Sequence, residues 1–432
     1  LHHAFQATVF EWISMGAVTA HELKDPLSGK SGSREEIIGK RRNWIADRLD
    51  ERDRREPLRV LIGSNTLACG GAEHQILRLM PRLLELGLEV EHFYHGEPHY
   101  LKPRFESKGL TSHFLDLHAE GRLHLIREAA ALFRTRGYDI VHAFVGTANL
   151  YTRWAAVRAC VPVILGGWRA RRREKSFVLR MLYSHLNRWS GAWIINSSTN
   201  AEALDAFAGM KRLRTYILPN AFDFDDGSYG KHAPLPQEIA GWIDGRRSVV
   251  TLGRAERLKN YDLFIDVAAS FVSRGKDTCF VIIASTDHTP ESRALEQRLR
   301  KRIKDEGLSA NILYTGRLDD AAALLANFSL FLFTSDAEGC PNAVIEAMAA
   351  GLPIVMTRST DTGQLISEGK NGYTSNGSVE ELSDHVESIL DDDEIRMGFG
   401  ERSRELAMRN FDSADSAWLL ARIYLEEWSR NL

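Results

Sequence analysis

Cysteine is scarce in this chain, with four in 432 residues: Cys69, Cys160, Cys279 and Cys340. They lie far apart, with no C-x-x-C pair and no Cys/His spacing suited to a metal. That excludes a disulfide framework or a structural zinc site and fits a reducing cytoplasm. Long apolar runs are missing too. A membrane-spanning helix needs roughly 18–20 apolar residues; the longest uncharged stretch, Ala321 to Ser335, contains Asn, Ser and Thr and reads as helix then strand. The N-terminus carries two histidines and then Glu11, not a basic region followed by an apolar one, so no signal peptide is expected, although the chain opens on Leu instead of Met. Finally, neither charge sign dominates. A net charge of −3 gives no general electrostatic reason to expect a nucleic-acid partner.

What is present is an ordinary globular composition, 44% hydrophobic and 26% charged, long enough for two domains of roughly 150–200 residues. Residues 1–56 differ from the rest. "KDPLSGKSGSREE" is polar and turn-rich, and "GKRRNWIADRLDERDRREP" is a charged run that reads as one exposed helix or a weakly ordered extension. From Leu58 a regular alternation begins. "LRVLIG" is a buried strand, "SNTLACGGAEH" a loop, and "QILRLMPRLLELG" a helix with Ile76, Leu79, Met80 and Leu83 on one face and Gly87 just past its end. "YDIVHAF", "VPVILGG", "GAWIINSS" and "TYILPNAFD" continue the strands. "DFDDGSYGKHAPLP" then breaks the rhythm, and "RRSVVTLGRAERLKNYDLFIDVAASFVSRG" restarts it. Repeated strand–helix alternation predicts doubly wound parallel sheets. The expected division is an extension at 1–56, Rossmann-like domains at 57–235 and 236–411, and a terminal helix at 412–432.

In open parallel sheets, ligands sit beyond the carboxyl ends of the strands. Three loops there carry suitable residues. "ACGGAE" (68–73) offers two glycines, Gly70 and Gly71, at a helix start, where backbone N–H groups can approach an anion. In "LGRAERLKN" (252–260), Gly253 allows close approach, while Arg254 and Lys259 can hold a diphosphate, one through a forked contact and the other as a point charge. The third, "FTSDAEGCPNAVIEAMAAGLPIVM", places Glu338 in a loop after a strand and Glu346 in the helix that follows. Pro341 suits that helix's first turn. Each motif also has a bland reading as a turn, solvated surface charges or an ordinary helix acid.

The order Gly-Gly-Ala-Glu, Gly-Arg…Lys, then E-x7-E around Gly-x-Pro-Asn resembles glycosyltransferase family 4, the retaining nucleotide-sugar transferases of GT-B fold. The similarity spans about residues 58–425, and "SEGKNGY" (367–373) extends it. The resemblance implies α/β GT-B architecture, with two Rossmann-like domains facing across a cleft and a C-terminal helix crossing back to the first. It further implies a hexosyltransferase-type enzyme that needs no metal or resident cofactor and uses a UDP- or GDP-linked sugar as co-substrate. By position, Arg254 and Lys259 would hold the donor diphosphate and Glu338 the donor sugar, beside the Gly339–Cys340–Pro341–Asn342–Ala343 backbone. Glu346 would hold the ribose hydroxyls, Gly316 and Arg317 would flank the base, and Gly70 and Gly71 would face the phosphates from the first domain. The acceptor, a glycan, a lipid-linked saccharide or a small molecule, would lie on that domain.

This chain departs from the family pattern at several points. Ala221 in "PNAFD" stands where a glycine is common. Trp168 and Arg169 follow the strand after which many members carry a histidine near the reacting carbon, which makes Arg169 a candidate beside the acceptor. His142 in "DIVHAF" matches a family histidine but is equally readable as structural. "DFDD" (223–226) has an Asp-x-Asp pattern yet lies in the inter-domain stretch, where a metal role is not expected. The basic cluster "WRARRREKSFVLRMLY" (168–183) is either a solvated helix start or, through Arg169 to Lys175, a peripheral contact with the inner face of a membrane. Rival readings are a GT-B nucleotide-sugar epimerase or phosphorylase, and a non-catalytic GT-B partner subunit.

Overall fold

Apolar β-branched runs become strands here because successive side chains must enter hydrophobic layers on both faces of a parallel sheet. In the computed structural model, the described residues are 17–18, 27, 33–52, 54–68, 70–117, 121–169, 177–197, 200, 214–224, 233–286, 289–318, 320–360 and 365–431. The chain divides into two compact units, one formed by Leu1–Asp223 with Ser413–Leu432 and the other by Phe224–Asp412.

The first unit holds strands β1 (Ala17–Val18), β2 (Arg59–Ser64), β3 (Glu89–Tyr94), β4 (Ser112–Phe114), β5 (Ile140–Ala143), β6 (Val163–Trp168), β7 (Ala192–Ile195) and β8 (Arg214–Ile217). They lie in the order β1-β8-β7-β6-β5-β2-β3-β4, with all pairs parallel. The direction of winding reverses between β2 and β5, and the loops leaving those strands flank the reversal. The second unit holds β9 (Arg247–Arg254), β10 (Thr278–Ser285), β11 (Ile312–Tyr314), β12 (Leu330–Phe333), β13 (Ile354–Thr357) and β14 (Gly372–Ser375). Their order, β11-β10-β9-β12-β13-β14, is again all parallel, with its switch point between β9 and β12. This is the Rossmann-like arrangement twice over, as the alternation predicts.

The C-terminal helix Ser413–Arg430 belongs to the first unit, although the whole second unit intervenes in sequence. Trp418, Ile423, Tyr424 and Trp428 join one core with Ile76, Leu79, Met80 and Leu83 of the helix Gly71–Glu85. At about 1.5–3 kcal/mol per fully buried large apolar side chain, this face is enough to hold the helix. A buried polar contact fixes its register. Glu427, fully buried, accepts from Arg214 Nε at 2.6 Å and Nη2 at 2.8 Å, and from the Tyr216 hydroxyl at 2.8 Å.

The charged run expected as an exposed helix is helical over Arg34–Asp50, started by a reciprocal cap between Ser33 and Glu36. It is not exposed all round. Ile45 and Leu49 enter the first core, Trp44 meets Trp418 edge-on at 5.2 Å, and Arg41 reaches Asp415 at 2.5 Å. Its charges hid a narrow apolar stripe that the C-terminal helix covers.

Candidate active site

Strand β9 ends at Arg254, and the chain then passes through a 3-10 turn, Arg257–Lys259, into the helix Tyr261–Ser273. Asn260, at φ 46°, makes this sharp entry and caps the helix by accepting from the Leu263 N–H. Gly253 leaves room for it. A Cβ there would sit 3.0 Å from the Tyr261 hydroxyl and 3.3 Å from Lys259 Cε. The Tyr261 hydroxyl donates to the Arg254 carbonyl at 3.0 Å, and burial holds its pKa well above the usual phenol range.

On the other side of the switch point, β12 leads through Thr334 and Ser335 to Glu338. The Lys259 ammonium meets Glu338 Oε1 at 2.6 Å, and both side chains are largely withdrawn from water, 15% and 21% exposed. Lys259 Nζ also lies 5.1 Å from the centre of the Phe333 ring. The Ser335 hydroxyl is 3.0 Å from the same Glu338 oxygen and 3.0 Å from the Leu258 carbonyl. Asp336 N donates to the Leu258 carbonyl, the Thr334 hydroxyl reaches the Lys259 and Asn260 carbonyls, and Asn260 Nδ2 donates to Asp336. The two loops are therefore laced together, and the lysine and glutamate meet where they join.

Arg254 is placed differently. Its side chain is 64% exposed and pairs with Glu256 at 2.7 Å, so it stands at the rim while Lys259 lies deeper. Glu346 is half-buried in the helix Asn342–Ala349, which begins just after Pro341. Gly339 and Cys340 lead into that helix, Ala343 sits in its first turn, and the Val344 N–H donates to the Pro341 carbonyl at 3.1 Å. Gly316, at φ +80°, turns the chain out of β11, where Arg317 is exposed.

The remaining candidates belong to the first unit. Gly70 caps the helix Gly71–Glu85 without a side chain, and a Cβ on Gly70 would run into the Glu73 carboxylate. His142 is fully buried in β5, with Nδ1 2.9 Å from the Tyr424 hydroxyl. Burial, assisted by nearby Arg169, lowers its pKa to about 3 and keeps it neutral. Arg169 turns inward, its guanidinium 4.0 Å from the Phe144 ring centre and Nη1 3.0 Å from Asn220 Oδ1. Residues 170–175 of the basic cluster lie outside the described residues, as do Asp225 and Asp226. Asp223 accepts from the Ser413 hydroxyl and lies 3.4 Å from Arg82. The Ala221 backbone bonds with Gln75 in both directions and accepts from Arg78 at 3.0 Å.

The two halves match two family models. Residues 237–406 match "Glycosyl transferases group 1", and residues 70–221 match a "Glycosyl transferase 4-like domain". The chain belongs to the glycosyltransferase group 1 family. This group 1 chain is 32% identical over 112 residues to N-acetyl-alpha-D-glucosaminyl L-malate synthase of Bacillus anthracis, covering 26% of this chain and 29% of that protein. It is 23% identical over 233 residues to the alpha-1,3/1,6-mannosyltransferase of Dictyostelium discoideum, 49% of this chain and 56% of that one. The matches thus span between a quarter and about three-fifths of these relatives. Among solved structures, Anabaena HepE in complex with UDP and glucose aligns with a TM-score of 0.71 at 18% identity, over 85% of this chain and 99% of that one. The same protein with UDP-glucose aligns at 0.70 over 87% and 100%. These alignments agree with the GT-B class.

Within this group 1 framework, sequence reasoning did not single out Ser335, Thr334 or Asn260, which fix Glu338 and Lys259 in place. The hydroxyl pair closing "LFLFTS" immediately before an acidic loop was the available signal, since strand-end hydroxyls commonly tie neighbouring backbone. Asn220, which holds Arg169, was also passed over.

Proposed function

We propose that this chain is a retaining, metal-independent glycosyltransferase that moves a sugar from a uridine-diphospho-sugar to a hydroxyl acceptor. The observation that carries the proposal is the Lys259–Glu338 pair at the β9/β12 switch point, beside the start of the helix Asn342–Ala349. A cation beside the positive end of a helix suits a departing diphosphate, whose charge grows as the glycosidic bond breaks. Arg254, at the rim, closes on the phosphates. Glu338 accepts from donor-sugar hydroxyls, and Glu346 from the ribose hydroxyls, as acceptor-only carboxylates can. Gly316 and Arg317 flank the base; in the first unit Arg169 belongs to the acceptor side, whereas His142, fully buried against the Tyr424 hydroxyl, packs as a core histidine. No side chain is assigned as a covalent nucleophile. The leaving phosphate takes the acceptor's proton on the face from which it departs.

Uridine is favoured because HepE was crystallised with UDP and UDP-glucose. A panel of UDP- and GDP-sugars tests the reading. UDP-sugars should raise the melting temperature by mass action, and Glu346→Ala should abolish that rise. An unchanged rise in the variant would overturn the donor-site assignment. Labelled donor with inorganic phosphate and no acceptor separates transfer from the rivals, because an epimerase or a phosphorylase would convert it and a transferase would only hydrolyse it slowly.

A further inference from the structure

Strand β11 stands at one edge of the second sheet, where, among the described residues, no further strand takes its outward carbonyls. One of them, on Tyr314, accepts from Arg300 Nη1 at 2.9 Å. Arg300 reaches it from the helix Pro290–Asp305, whose Leu299 and Ile303 enter the same core as Tyr314. Its guanidinium is held from three sides. Glu296, one turn earlier, accepts from Nε at 2.9 Å and lies 2.9 Å from Nη2. The Tyr314 carbonyl takes Nη1, and the centre of the Tyr314 ring lies 4.5 Å from Cζ. Ion pair, hydrogen bond and ring contact together fix both the position and the plane of the group. Yet the side chain is 47% exposed. One face of the guanidinium rests on the ring, and the other is open.

A lysine would satisfy the edge carbonyl equally well, so that bond alone does not account for an arginine. What the guanidinium adds is a flat cationic face, on which planar bases stack. The surroundings keep that face reachable. The chain leaves β11 through Gly316 at φ +80°, and even a Cβ there would lie 3.7 Å from Arg300 Nη2, in ordinary contact. Tyr314 is the last residue of its strand, so the platform lies towards the carboxyl end of the sheet, as Lys259 does. β11 is two strands from β9, roughly 10 Å at ordinary strand spacing. A ribose can bridge such a gap between a diphosphate at Lys259 and a base at β11.

We propose that Arg300, held flat by Glu296 and Tyr314, is a stacking platform for the nucleobase of the donor. This rests on the donor reading given above and adds to it a residue from a different element. Calorimetric titration of the full chain with UDP, UMP and inorganic pyrophosphate tests it. Arg300→Lys keeps the charge and the reach to the Tyr314 carbonyl but lacks the plane. UDP and UMP should each bind this variant about fivefold more weakly, with pyrophosphate unchanged. Arg300→Met, which lacks charge and plane, should lose at least as much for both nucleotides. An edge-strand role alone would lower the melting temperature without separating the nucleotides from pyrophosphate. Unchanged UDP affinity in Arg300→Lys, or an equal fall for pyrophosphate, would overturn the platform while leaving the donor site in place. A wild-type chain that binds neither nucleotide would instead overturn the uridine-donor reading, and the platform with it.

Discussion

Glu338→Gln separates the two partners at the candidate site, and the structure gives the sign of its effect. Without nucleotide, Lys259 Nζ is held by Glu338 Oε1 at 2.6 Å, so a diphosphate must compete with that carboxylate for the ammonium. The Lys259 ammonium keeps a charge-assisted hydrogen bond to either group, but the carboxylate adds the attraction of a second charge, about 1–1.5 kcal/mol for a pair so little exposed, a little above the range for exposed pairs. Replacing the carboxylate with an amide therefore makes Lys259 cheaper to release by about 1–1.5 kcal/mol. At ~1.4 kcal/mol per decade, UDP should bind about five- to tenfold more tightly to the variant. UDP has no sugar for Glu338 to hold, so nothing offsets the gain. Sugar transfer should move the other way, because an amide also donates and so recognises donor hydroxyls less well; turnover should drop about a hundredfold. Calorimetric titration with UDP, run beside a transfer or donor-hydrolysis assay, reads both. Equal or weaker UDP affinity in Glu338→Gln would refute the claim that the ion pair guards the phosphate site.

Gly253→Ala should lower UDP affinity and turnover about tenfold by pushing the Lys259 stem off its position; wild-type titration and rate constants would show that the lysine tolerates the displacement. Glu427→Gln, which weakens a fully buried acceptor of two Arg214 bonds and the Tyr216 hydroxyl, should cost about 2–3 kcal/mol in urea unfolding, below most of the usual ~3–5 kcal/mol because Arg214 can rehydrate; an unchanged midpoint would contradict the role given to this contact. His92 and His142 are both fully buried, and burial lowers each pKa from 6.5 to about 3. The unfolded chain therefore binds more protons below pH 6.5, and stability should fall by up to ~1.4 kcal/mol per pH unit for each histidine as pH drops towards 4.5. A flat urea midpoint between pH 6.5 and 4.5 would refute it, and His142→Gln should make the profile shallower.

Much of the fold was legible because parallel strands buried on both faces have to be written as short apolar β-branched runs. "LRVLIG" and "LFLFTS" carry that signal without help from distant residues, and Gly87 and Gly351 end helices by local geometry alone. The helix Arg34–Asp50 was harder. Its buried residues are Arg41, Ile45 and Leu49, one per turn, and an Arg among them defeats a search for apolar periodicity. Arg41 is accommodated by Asp415 and the Ala414 carbonyl, more than 370 positions away, and no local pattern predicts such a partner.

The candidate site divides along the same line. Residue types at strand ends single out Arg254, Lys259, Glu338 and Glu346 as candidates because each loop is a local motif. Their resting partners are set by which strands become neighbours, and β9 and β12 are separated by two strands in sequence. The sheet order therefore brings Lys259 to Glu338 and leaves Arg254 with Glu256. That pairing has a physical reason. An isolated charge held away from water is costly, whereas a pair satisfies both members until a ligand arrives. A site meant to grip an anion with one group and hydroxyls with the other avoids the cost of an unpaired charge at rest by letting the two groups neutralise each other. In this reading the donor separates the pair on entry: its diphosphate replaces the carboxylate at Lys259, and its sugar replaces the ammonium at Glu338. A nucleoside diphosphate without sugar completes only half of that exchange, which is why the UDP titration of Glu338→Gln discriminates so directly.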